Sequence, residues 1–121
     1  MKKFTQVAVM AGLLFILSSG ANAWDVYIKN TTNHVAKVEI DGEHLFWRQV
    51  DCVKTVQPHS EVICTMPGLI CPVSAMATFY VPGGYAIAKS PPVLAMCFNT
   101  ELRLYSNSRS DADLKMGFFA R

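Results

Sequence analysis

The sequence contains no Cys-x-x-Cys pair, which excludes a thioredoxin-type redox cycle. Its four cysteines, Cys52, Cys64, Cys71 and Cys97, are separated by 12, 7 and 26 positions. Structural zinc sites draw thiolates from close pairs, about two to four residues apart, so no metal is expected. There is no Gly-x-Ser-x-Gly elbow for a serine nucleophile. Gly83-Gly84 follows a proline and precedes a strand-like run rather than a helix, so it is no phosphate cradle. Asp111-Ala112-Asp113 lacks the glycine and distal glutamate of a calcium loop. Only three histidines are present, His34, His44 and His59, each at or near a turn. These absences leave no catalytic constellation, and the chain is expected to be no enzyme and to carry no cofactor.

Long apolar runs are also scarce. The longest opens the chain, Val7 to Leu17, and its 11 residues fall short of the roughly 20 that span a bilayer. It follows Lys2 and Lys3 and precedes the small-x-small site Ala21-Asn22-Ala23. That order predicts a cleaved secretory signal peptide over residues 1–23, of bacterial type, and an exported product, periplasmic or extracellular. No span is expected after cleavage. Removal of Lys2 and Lys3 lowers eleven basic residues to nine, equal to the nine acidic ones. A neutral chain exerts no long-range pull on polyanions, so nucleic acid is not an expected partner.

What remains, residues 24–121, is large enough for one core. Its dominant signal is period two. Val26 and Ile28 alternate with Asp25, Tyr27 and Lys29; Ala36, Val38 and Ile40 alternate with Lys37 and Glu39; Leu102 and Leu104 alternate with Glu101, Arg103 and Tyr105. Such runs are half-buried strands. Turn signals punctuate them at Asn30–Asn33, Asp41-Gly42, Pro58–Ser60, Pro67-Gly68, Pro82–Gly84 and Pro91-Pro92. The expected fold is an all-β antiparallel sandwich, Ig-like or jelly-roll-like. "CPVSAMATFYV" and "PVLAMCFN" read as central strands covered on both faces. In the tail, Ser110 is a candidate helix cap and Met116 to Ala120 a candidate last strand.

An even number of cysteines in a small exported domain implies two disulfides. Pairing 64 with 71 and 52 with 97 closes loops of 8 and 46 residues; pairing 52 with 64 and 71 with 97 closes 13 and 27. Chain entropy gives about 6.5 kcal/mol in either case and does not choose. A hairpin turning over Met66–Leu69 places Cys64 opposite Cys71 and tips the expectation toward 64–71 with 52–97, while a hairpin at Pro58 offers Cys52 and Cys64 a similar chance.

Function is expected in binding. Trp47 and Arg48 adjoin Phe46 in "EHLFWRQ", and Tyr80 and Tyr85 flank a glycine-rich turn. These residue types offer large contact area with a polar handle. The four are the candidate contact residues for a protein or glycan partner, in an inhibitor, an adhesion module or a secreted effector. For Trp47 the competing role is a core ring packed on a disulfide. Two other classes stay open: a small hydrolase using His59 or His44 with a nearby acid, with Asp41, Glu43 and Asp51 as candidates for a carboxylate pair among themselves, and an assembly subunit donating the "WDVYIKN" strand to a neighbour.

Overall fold

The computed structural model describes residues 24–91, 96–107 and 113–121. The expected leader and the expected cap at Ser110 lie outside the described residues. Among the described residues eight strands follow one another: β1 (Asp25–Asn30), β2 (Ala36–Glu43), β3 (Arg48–Val56), β4 (Ser60–Thr65), β5 (Cys71–Val81), β6 (Gly84–Lys89), β7 (Thr100–Ser106) and β8 (Leu114–Ala120). They form two four-stranded sheets, ordered β4-β1-β7-β8 and β3-β2-β5-β6. Every neighbour is antiparallel except β1 and β7, which run parallel. The fold is therefore the all-β sandwich that the alternation implies, and the candidate last strand is β8.

The period-two runs supply the inner faces. Val26, Ile28, Leu102 and Leu104 of the first sheet are fully buried, as are Val38, Ile40, Ala77 and Phe79 of the second. Together they form one core. β1 lies in the middle of its own sheet, hydrogen-bonded to β4 on one side and β7 on the other.

One end of the sandwich is closed by polar side chains. Asn30 is buried at the end of β1. Its amide donates to the carbonyls of His34 at 2.7 Å and of Val56 and Gln57 at 3.3 Å. Its oxygen accepts from the Thr32 amide at 3.0 Å and the Thr32 hydroxyl at 2.7 Å. One side chain thus ties the β1–β2 crossing to the β3–β4 crossing. Asn30-Thr31-Thr32 has the Asn-x-Thr pattern of a glycan acceptor, but it serves the turn, because the amide that a glycan would occupy is spent inside. At this same end, Pro82-Gly83 joins β5 to β6, with Gly83 at φ 86°, as the third residue of a type II turn requires.

Three local expectations are corrected. Asp41-Gly42 is no turn; it lies within β2, where the partners of both neighbouring strands shift register. "CPVSAMATFYV" is a central strand, but only its odd-numbered residues from Val73 to Phe79 meet the opposite sheet; Tyr80 is exposed. In "PVLAMCFN", residues 92–95 lie outside the described ones, and Met96–Asn99 form a loop crossing between sheets instead of a strand.

The disulfides join Cys52 to Cys64 and Cys71 to Cys97, with Cα separations of 6.4 and 4.9 Å. The pairing of 64 with 71 and 52 with 97 is overturned, and the reason is topological. Pro67-Gly68 does not turn a hairpin: β4 pairs with β1, whereas β5 pairs with β2 and β6. The segment between them crosses from one sheet to the other and carries Cys64 and Cys71 apart. Cys64 on the edge strand β4 instead meets Cys52 on the facing edge strand β3, so this bond clamps the two sheets together.

Candidate functional site

The end opposite Asn30 is built from loops rich in exposed apolar side chains. β2 and β3 meet there, with Glu43 paired to Arg48 and His44–Trp47 between them. Glu43 also pairs with Cys71 at the start of β5, so the β4–β5 crossing emerges alongside. The amide of Met96 donates to the Pro72 carbonyl at 3.0 Å, which brings the β6–β7 crossing to the same end. Leu45 is 85% exposed, Phe46 84%, Leu69 of the second loop 71% and Phe98 of the third 48%. Scattered apolar residues are ordinary on a protein surface; here the most exposed, Leu45 and Phe46, share one hairpin tip, and Leu69 and Phe98 lie on loops of the same end.

The hairpin tip is held from beneath by a closed circuit. The Trp47 indole N–H donates to Gln49 Oε1 at 2.9 Å, and Gln49 Nε2 donates to Asp51 Oδ1 at 3.0 Å. Asp51 Oδ2 lies 2.8 Å from His44 Nε2, whose N–H donates to the carboxylate. The His44 ring then stacks on Trp47, with centroids 5.3 Å apart and planes 5° from parallel. The His44 amide donates to the Trp47 carbonyl at 2.8 Å and closes the turn.

A β-bulge makes this circuit possible. Ile40 faces Cys52 and Asp41 faces Val50, so Asp51 is the extra residue in β3. A bulge re-aims the side chain it carries. Here it turns the Asp51 carboxylate under the tip, leaving its side chain only 5% exposed. Gly42 provides the room, since a Cβ at that position would overlap the Asp51 carboxylate and the Ile70 side chain.

The four candidate contact residues separate into two pairs. Trp47 and Arg48 are both exposed at the apolar end, and Trp47 rests on His44 rather than on a disulfide. Tyr80 and Tyr85 are cross-strand partners. They lie at the opposite end of the second sheet, roughly 25 Å away along the eight residues of β2. Leu45, Leu69 and Phe98 were not distinguishable as contact residues in the sequence, where a lone Leu or Phe reads as core. A signal does exist for the first: Leu45-Phe46-Trp47 breaks period two between polar neighbours, and three consecutive side chains of a strand cannot all point inward.

Of the histidines, His44 reaches a carboxylate, while His59 Nε2 lies 2.6 Å from Asn33 Oδ1 and His34 is buried in the β1–β2 crossing. His59 and His34 belong to the polar end, so the three do not converge. His59 borders an open dent of ≈ 230 Å³ with Lys29 and Glu61. A second dent, ≈ 350 Å³, lies on the outer face of the second sheet between Glu39, Asp41 and Lys89, where the Ser74 hydroxyl donates to Asp41 at 2.9 Å. Among the described residues no three His, Cys, Asp or Glu side chains are grouped to hold a metal ion, and no helix is long and apolar enough to cross a membrane.

No family model and no curated protein matches the chain. Solved structures do resemble it. A protein from Eubacterium rectale aligns with TM-score 0.56 at 12% identity, over 84% of this chain and 93% of its own. The membrane-binding domain of pneumolysin aligns with TM-score 0.52 at 9% identity, over 82% of this chain and 97% of that domain. Whole wild-type pneumolysin gives the same TM-score at 8% identity, and there the match spans 23% of the larger protein. At such identities the likeness is one of fold alone.

Proposed function

We propose that the chain is an exported binding module that acts by contact rather than by catalysis, and that its contact surface is the apolar loop end. The observation that carries this is the placement of Leu45 and Phe46, almost wholly exposed at a hairpin tip held by hydrogen bonds beneath it. Exposing two large apolar side chains side by side gains the fold nothing, whereas a rigid scaffold presenting such a loop lowers the ordering cost of association. Arg48 and Trp47 extend the surface with residue types that dominate recognition. The two disulfides support a working place outside the reducing cytosol. A neighbour of the same fold is described as a membrane-binding domain, which supports a contact role for a sandwich of this build.

The test is affinity capture on immobilised oxidised protein, from lysates and from membrane extracts. Wild type and Tyr85→Ala are expected to recover the same partner, and Phe46→Asp and Trp47→Ala to lose it. Equal recovery by all four proteins would remove the apolar end from the binding surface.

A further inference from the structure

We infer that the partner of the apolar end is a lipid bilayer, entered to interfacial depth by Leu45 and Phe46; this rests on the contact reading above and narrows it to one occupant. The first argument is exposure. Leu45 and Phe46 of the first loop, Leu69 of the second and Phe98 of the third leave large apolar side chains in water at one end. Residues from several loops can enter one deformable apolar phase together without a matching groove.

The second argument is the order of chemistry along the hairpin. Leucine and phenylalanine occupy its apex, tryptophan and histidine stack one residue behind them, and Arg48 and Glu43 pair at its base. Hydrocarbon, then amphipathic ring, then charge is the sequence of environments met from the acyl boundary outward to the headgroups. The Trp47 indole N–H donates to Gln49 on the protein side, so the ring carries no unpaired donor into the interface.

The third argument concerns the backbone. A loop entering an apolar phase must satisfy its own peptide groups. The His44 amide donates to the Trp47 carbonyl immediately above the Glu43–Arg48 pair, which leaves the Leu45 and Phe46 peptide groups to headgroup water and limits entry to interfacial depth. Charge makes the inference specific. Residues 24–121 hold nine basic and nine acidic side chains, so attraction to anionic headgroups is not the driving force. Binding should depend on apolar insertion and hardly on salt.

The experiment is flotation of the oxidised protein with vesicles of pure phosphatidylcholine and with vesicles containing phosphatidylglycerol, each at low and high salt. A Trp24→Phe background lets Trp47 emission report the tip alone. The expected result is association with both vesicle types, changing less than about threefold with salt, and a blue shift of Trp47 emission. Phe46→Asp and Leu45→Asp should each weaken association at least about tenfold with unchanged thermal midpoints, and Tyr85→Ala should leave it unchanged. Binding confined to anionic vesicles and lost at high salt would overturn apolar insertion. Failure to float with any vesicle, while Phe46→Asp still abolishes capture of a protein partner, would overturn the bilayer and leave the contact reading standing. Vesicle binding that survives both aspartate substitutions would overturn the two together.

Discussion

The two ends of this sandwich are fastened by different chemistry. At the polar end a single buried asparagine holds two chain crossings by five hydrogen bonds, and no covalent link is involved. At the apolar end both disulfides lie close by: Cys64 faces Val26 near the start of β1, and Cys71 opens β5 beside Glu43. The difference follows from what each end exposes. A polar turn can stabilise itself with hydrogen bonds that water does not displace once they are buried. A loop end that leaves its large apolar side chains outside gives up that packing, and there covalent ties add to the hydrogen-bonded circuit under the tip.

Reduction is the strongest way to break the comparison. Opening 13- and 27-residue loops should lower unfolding free energy by about 3 and 3.5 kcal/mol in the chain-entropy model, as read from urea midpoints with and without reductant. Midpoints that coincide would show that the apolar end is not held covalently. Because Cys97 is exposed and Cys64 wholly buried, alkylation under mild reductant should label Cys71 and Cys97 before Cys52 and Cys64. Next in size is Asn30→Ala. Orphaning the buried carbonyls and the Thr32 donors it serves should cost about 3 kcal/mol, seen in the same urea titration, and should leave Trp47 emission unaltered. A Trp47 response would mean that the two ends are coupled. The smallest effect sharpens the account of the tip. Gln49→Ala should change stability by less than about 0.5 kcal/mol, yet free the indole and lower the fluorescence anisotropy of Trp47. Unchanged anisotropy would reduce the circuit to a decoration of the surface.

The sequence discloses the core more readily than the site. Alternation in β1, β2 and β7 is a consequence of burying one face of a strand, and any chain that does so carries the pattern in its order of residues. Disulfide pairing depends on which sheet each strand joins, which alternation does not encode; Cys64 and Cys71 are near in sequence and far apart in pairing for that reason. Asp41-Gly42 has the composition of a turn, but its glycine answers a steric demand from Asp51 and Ile70, and both belong to other elements. The circuit under the tip was legible only as fragments. His44, Trp47 and Asp51 could each be named, whereas their meeting requires a bulge that shifts Asp51 by one place, and nothing local in "RQVDCVKT" announces it.

The parallel pairing of β1 with β7 has a consequence for how the chain acquires its shape. The sheet β3-β2-β5-β6 is complete once residue 89 is available, because all its strands lie between Ala36 and Lys89. The other sheet is centred on partners from opposite ends of the domain and must wait for residues 100–106. During synthesis from the N-terminus, β1 therefore spends most of its early life without its β7 neighbour, a slow long-range closure of the kind that exposes strand edges to unintended pairing.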